Sequence, residues 1–252
     1  MQTALTSRLA PRVVGILGGM GPAAGADFVR LFVQACSEVL RARNVPLVDQ
    51  AYPEHWLAQV PVPDRSAALR DQRNGAHQPL EPMLQAMGRL SALGAQAVAI
   101  ACNTAHAWHG NLQQRFPQLE VLNGVKEVAS DLAARGVGRV GLLATLGTYE
   151  SDLYPRELQS QGVQCCLPSM AEREMLMTGI YQGVKADNLP LARQCFSDVA
   201  RGMQQRHGLA VLIMGCTEIP LALQVSPDTA GLELLDPARL LARRLAARAY
   251  SV

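Results

Sequence analysis

Val13-Val14-Gly15-Ile16-Leu17-Gly18-Gly19-Met20-Gly21-Pro22 decides the fold of this 252-residue chain. Five residues of buried-strand character run into a glycine turn, and Phe28, Leu31, Phe32, Ala35 and Val39 then recur at the spacing of one helix face. Pro22 sits where the first helical turn has no use for its missing N–H. The stretch reads as strand, turn and helix. Outward from it the alternation continues with an apolar run at Val45–Asp49, a helix carrying Leu80, Met83, Leu84, Met87 and Leu90, and a second buried run at Ala97–Ala101. Strands alternating with helices predict a parallel sheet covered on both faces.

The second half echoes the first. Gly15-Ile-Leu-Gly-Gly-Met-Gly21 lies on Gly141-Leu-Leu-Ala-Thr-Leu-Gly147, and Ala97-Val-Ala-Ile-Ala-Cys102 lies on Val211-Leu-Ile-Met-Gly-Cys216. The expected architecture is therefore α/β, with two pseudo-symmetric domains, each a mostly parallel sheet flanked by helices. The first would hold residues 1–122 with a returning helix at 237–252, the second residues 123–236. A ligand cleft is expected where the carboxyl ends of the strands meet, between the domains. Residues 52–82, with prolines at 53, 61, 63, 79 and 82, interrupt the alternation and read as a functional loop around Pro63-Asp-Arg-Ser66.

Composition narrows the function. Lys and Arg total 23 against 21 Asp and Glu, a net charge of +2, too even for an electrostatic nucleic-acid or membrane binder. The opening residues lack the apolar block of a signal peptide, and no apolar run reaches membrane-spanning length. A cytoplasmic protein is expected. The six cysteines, at 36, 102, 165, 166, 195 and 216, include no C-x-x-C pair and no crowding of histidines. Neither a disulfide framework nor a metal site is suggested.

Cys102 and Cys216 each close an apolar strand at a strand-to-helix turn, where free N–H groups favour a thiolate. Asn103, Thr104 and Thr217 are residue types that cap helices and donate hydrogen bonds to a carboxylate. Two cysteines at corresponding places in two similar halves suit proton transfer at a carbon centre, which needs a base on one face and an acid on the other. His106, one helical turn past Cys102, is a candidate to tune that thiol, with a packed histidine as the plain alternative. His55, His77, His109 and His207 have no such placement.

Here the chain resembles the aspartate/glutamate racemases, the cofactor-independent amino-acid racemases. The matching motifs are Gly15–Pro22, Pro63-Asp-Arg-Ser66, Ala101-Cys-Asn-Thr-Ala-His106, Gly141-Leu-Leu-Ala-Thr-Leu-Gly-Thr148, Gly179-Ile-Tyr-Gln-Gly-Val-Lys185 and Gly215-Cys-Thr-Glu218, in order along the chain. The resemblance implies two-base racemisation of aspartate or glutamate by Cys102 and Cys216, without pyridoxal phosphate or metal. It implies that Arg65 and Lys185 engage substrate carboxylates, and that Met20, Asn103, Thr104, Thr148, Thr217 and Glu218 line the site. It is compatible with a homodimer, which no sequence feature demands.

Three readings compete, one of them a non-catalytic amino-acid binding protein built on this scaffold, whose two-domain cleft also suits ligand sensing. Hydantoin racemases of the same superfamily keep both cysteines but have no need of two basic carboxylate partners. Gly19-Met-Gly-Pro-Ala-Ala24 also satisfies a dinucleotide-binding fingerprint, with Asp49 as the ribose-binding acid of an NAD(P)-dependent oxidoreductase.

Overall fold

The computed structural model describes residues 11–70, 78–223 and 229–251; His77 lies outside them. In chain order the elements are β1 (Val14–Gly18), α1 (Pro22–Ala42), β2 (His55–Gln59), α2 (Arg65–Arg70), α3 (Leu80–Ala92), β3 (Ala97–Ile100), α4 (His109–Arg115), β4 (Glu120–Val121) and α5 (Gly124–Ala134). There follow β5 (Arg139–Leu143), α6 (Leu146–Glu150), α7 (Leu153–Ser160), β6 (Gln164–Cys166), α8 (Met170–Thr178), α9 (Leu189–His207), β7 (Val211–Met214), α10 (Ile219–Ala222), β8 (Glu233–Leu235) and α11 (Pro237–Ala249).

The strands form two four-stranded sheets, ordered β2-β1-β3-β4 and β6-β5-β7-β8, with every pairing parallel. The two orders are the same when β5–β8 are matched to β1–β4, so the sequence echo reports a repeated topology. The described chain divides into two compact units, with boundaries at Gly124/Val125 and Pro237/Ala238. Residues 64–70, expected in the first domain, belong to the second unit.

In the first unit, the side-chain period of two splits each central strand between two cores. Val14, Ile16, Ala97, Ala99 and Ala101 face the apolar stripe of α1 and the Leu241, Ala242, Leu245 and Ala246 face of α11. Leu17, Val98, Ile100 and Cys102 join Met83, Met87 and Leu90 of α3 and Leu112 of α4 on the other face. Burying each of these Leu, Ile, Val or Met side chains is worth about 1.5–3 kcal/mol. Cys102 thus extends the register of β3 by one more inward position.

The expected strand at Val45–Asp49 does not form. Pro46 has no N–H to give a sheet, Leu47 and Val48 are exposed, and Asp49–Ala51 is a single 3₁₀ turn. The strand beside β1 is instead β2, whose sequence His-Trp-Leu-Ala-Gln is only partly buried because it lies at the sheet edge. The segment read as one loop therefore carries β2, α2 and the start of α3. No helix among the described residues is long and apolar enough to cross a membrane.

Candidate active site

The glycine turn after β1 is shaped for close packing. Gly19 adopts φ +91°, and a Cβ there would stand 2.1 Å from the Val60 carbonyl oxygen, so only glycine fits beside the end of β2. The Gln59 amide donates to the Pro22 carbonyl at 2.8 Å, across the mouth of the turn. Asp49, the acid that a dinucleotide fingerprint requires at the end of the next strand, lies in an exposed 3₁₀ turn before that strand begins. This geometry removes the support for the dinucleotide reading.

In the first unit, Ala101 is the last residue held by the ladder, its N–H donating to the Leu17 carbonyl at 2.9 Å. Cys102 follows, 6% exposed, in the same apolar cluster as Met20. Asn103 and Thr104 are buried and open a 3₁₀ turn, Thr104–Trp108. Asn103 stands at the N-cap position in a helical conformation with no side-chain capping bond, contrary to expectation.

His106 is fixed at both ring nitrogens. Nε2 accepts from the Gly124 N–H at 3.0 Å, so the proton resides on Nδ1, which donates to the carbonyls of Cys102 at 2.9 Å and Asn103 at 3.1 Å. Burial pushes its pKa down to about 4, against the opposing pull of those carbonyls. His106 is a neutral strut between the Cys102 turn and the start of α5, and its bonds go to the cysteine's backbone. The packed-histidine alternative is the one that the geometry favours.

In the second unit, Cys216 occupies the equivalent place two residues past β7, 7% exposed, after the Gly215 N–H bonds to the Leu143 carbonyl at 2.7 Å. The helix behind it, α10, has only four residues. Glu218 holds the turn from the side-chain direction: its Oε2 accepts from the Cys216 thiol at 2.9 Å and from the Thr217 hydroxyl at 3.1 Å. Glu218 is itself buried.

A polar frame follows β5, the strand that pairs with β7. Thr145 caps α6 by accepting from the Thr148 N–H, and its hydroxyl lies 3.2 Å from that of Thr148, which is fully buried. The Ser66 hydroxyl of α2 reaches the Thr145 hydroxyl at 3.5 Å. This approach requires Gly147, where a Cβ would stand 2.7 Å from the Ser66 Cα. The Tyr149 hydroxyl accepts from the Ala144 N–H at 2.7 Å and donates to the Leu142 carbonyl at 3.1 Å, with Arg173 stacked 4.7 Å from the ring centroid.

Arg65 opens α2, and the preceding Asp64 accepts from the Ala67 N–H at 2.8 Å and from the Tyr181 hydroxyl at 2.9 Å. Burial works to raise the Asp64 carboxyl, but those two donors and the charges of Arg65 and Lys185 outweigh it and hold it below the usual carboxylate value. Lys185 places its ammonium 4.2 Å from the Tyr181 ring centroid. Tyr181 belongs to the π turn Gly179–Gly183, a widened turn that recurs at functional sites.

The second unit therefore gathers two groups of the expected residues: Arg65 with Lys185 around Asp64 and Tyr181, and Cys216 with Thr217 and Glu218. Thr148 stands in the frame that Ser66 joins. In the first unit Cys102, Asn103 and Thr104 are consecutive on one turn, with Met20 in the cluster beneath. Asp64, Tyr181, Tyr149 and Thr145 escaped the sequence reading. Asp64 and Tyr181 lie inside the racemase-like motifs, next to Arg65 and one helical turn before Lys185, and Thr145 lies three residues before Thr148, yet only Arg65, Lys185 and Thr148 drew notice there. Among the described residues no group of three or more His, Cys, Asp or Glu is placed to hold a metal ion.

A family model described as Asp/Glu/Hydantoin racemase matches residues 17–245. The chain belongs to that family. Solved structures share the fold of the chain. An aspartate racemase of Picrophilus torridus superposes with a TM-score of 0.76 at 27% identity, covering 94% of each chain. Curated relatives include a glutamate racemase of Thermus thermophilus, 32% identical over 163 residues, which are 63% of this chain and 57% of that protein. The broad specificity amino-acid racemase RacX of Bacillus subtilis is 25% identical over 150 residues, 60% of this chain and 62% of that protein. The chain spans little more than half the length of these curated relatives. Across the family match, the paired cysteine turns stand at topologically equivalent positions of the two sheets.

Proposed function

We propose that the protein is an amino-acid racemase that interconverts the L and D forms of aspartate, glutamate or both by proton transfer at Cα. The observation that carries this reading is the recurrence of one buried cysteine, two residues past the third strand of each sheet, in a member of a racemase family. One cysteine as thiolate removes the Cα proton while the other, as thiol, delivers a proton to the opposite face, and the two exchange states with each turnover. No external cofactor is needed for this cycle.

The carbanion that forms at Cα drives charge onto the α-carboxylate, and the cations of the second unit answer it. Arg65 can grip a carboxylate through two parallel N–H bonds, and Lys185 supplies a movable point charge. The Asp64–Tyr181 contact supports both, since it joins the segment that carries Arg65 to the turn that carries Lys185. Thr148, Asn103, Thr104 and Thr217 supply hydrogen-bonding groups, and Met20 an apolar wall beside Cys102.

Circular dichroism at a wavelength where the enantiomers differ, with each of L- and D-aspartate and L- and D-glutamate and no added cofactor, tests the reading. Decay of the signal to zero from both enantiomers of at least one amino acid is expected. A steady signal for all four contradicts it. Replacing Arg65 with Ala separates acidic amino acids from hydantoins: the proposal expects KM for the acidic substrate to rise about tenfold or more, the loss of a charge-assisted bidentate contact.

A further inference from the structure

Glu218 is placed to govern a sulfur. Its Oε2 lies 2.9 Å from the Cys216 Sγ and 3.1 Å from the Thr217 hydroxyl, so two donors of one turn converge on a single carboxylate oxygen. Cys216 and Glu218 are both buried, so water competes little for that oxygen. A carboxylate can only accept, so the sulfur at this distance is best satisfied as S–H. A thiolate there would set two negative charges in contact.

We propose that Glu218 is a positioning residue that keeps Cys216 protonated in the resting protein, so that Cys216 is the acid and Cys102 the base of the first proton transfer. The inference rests on the racemase reading for its role in turnover, though the hold on the sulfur does not. When Cys216 acts, its S–H bond breaks, the proton forms the new Cα–H bond, and the S–H electron pair remains on sulfur. The resulting thiolate faces the Glu218 carboxylate. Cys102, now S–H with the proton it removed, must be reset with it: either Cys216 takes the Cα proton of a molecule of the enantiomer just formed while Cys102 delivers its proton to the opposite face, or Cys216 takes a proton from solvent and Cys102 releases one to it.

Other titratable groups face the same sulfur from neighbouring elements. Tyr149 of α6 and Tyr181 of the π turn both lie within electrostatic reach of Cys216, and burial raises both phenols, so they stand as neutral hydroxyls. Arg173 and Cys165 lie behind Tyr149, and Asp64 and Arg65 act on Tyr181. Lys185 lies over the Tyr181 ring. Replacing Glu218 alone changes the identity of none of these groups.

The test follows alkylation of the full-length protein by iodoacetamide from pH 5 to pH 10, with peptide mass spectrometry reporting Cys102 and Cys216 separately. In E218Q, which keeps the shape and removes the charge, the midpoint for Cys216 should fall by about one pH unit or more, raising its alkylation rate at pH 7 about tenfold, while Cys102 keeps its profile. E218D, which retains a carboxylate, should lie nearer to the wild type than E218Q does. An unchanged Cys216 profile in E218Q, or an equal shift at both cysteines, overturns the proposal. Infrared difference spectra of wild type minus C216S test it without altering Glu218: the S–H band should lie below that of a thiol with no acceptor, and a band at the free-thiol frequency overturns it. If the wild type fails to racemise any acidic amino acid, the functional reading falls while the alkylation shift still measures the hold of Glu218.

Discussion

At the residue scale, the two buried cysteines are held by neighbours of opposite kinds. Cys102 has its carbonyl pinned by a neutral histidine, and Cys216 has its thiol pinned by a carboxylate. On the proposed two-base reading each cysteine is indispensable to both directions, because every turnover would need an acid and a base. C102A and C216A should each lower kcat/KM by at least about 10²–10⁴-fold, in the L-to-D and D-to-L assays alike; an enzyme retaining full turnover after either change would contradict the assignment. His106 makes a separate prediction about stability. Burial holds its folded pKa down to about 4, below the ordinary histidine value of 6.5, so protonation favours the unfolded chain. Its contribution is complete above about pH 6.5 and is lost as pH falls from there toward 4. H106A should cost about 1–3 kcal/mol by leaving the Gly124 N–H and the Cys102 carbonyl unmatched, and should flatten this part of the pH–stability curve in urea titrations.

At the scale of elements, the position of α2 is set by one close approach. Gly147 admits the Ser66 backbone where a side chain would collide, and Arg65 stands one residue before Ser66. G147A should displace α2, cost about 1–3 kcal/mol in thermal unfolding and raise KM for the acidic substrate. Unchanged KM in a folded G147A protein would show that α2 does not position Arg65. This is also where sequence reading stopped short. The β1-turn-α1 unit, the doubled cysteine turns and the parallel sheets were legible because each rests on local apolar runs of the right period. β2 was not, since an edge strand of His, Trp, Leu, Ala and Gln shows little alternation, while the more apolar Val45–Asp49 run contains Pro46. The membership of residues 64–70 in the second unit was not legible either, because it depends on a contact between Ser66 and Gly147, eighty-one residues apart in sequence and silent in any local pattern. Likewise Asp64 and Tyr181 look ordinary until a hydrogen bond joins them.

At the scale of the molecule, each unit has its own sheet and core, and α11 returns after the second sheet to complete the first unit's core with Leu241, Ala242, Leu245 and Ala246. Both tryptophans, Trp56 and Trp108, belong to the first unit, so their fluorescence reports on that unit, whereas far-ultraviolet circular dichroism reports on both. L245A removes a fully buried side chain and should cost the first unit about 2–5 kcal/mol, moving the fluorescence transition in urea to lower concentration. A fluorescence midpoint equal to the wild type's would show that α11 is not part of that core.

The central claim is that Cys102 and Cys216 act on opposite faces of one Cα. Proton NMR in heavy water, starting from pure L-aspartate and pure L-glutamate with wild-type protein and no cofactor, tests it most directly. The account predicts that, early in the reaction, the D product carries deuterium at Cα while the remaining L substrate keeps its proton, because base and acid are different groups. Deuterium entering the L substrate without inversion, or inversion that persists in C102A or C216A, would contradict it.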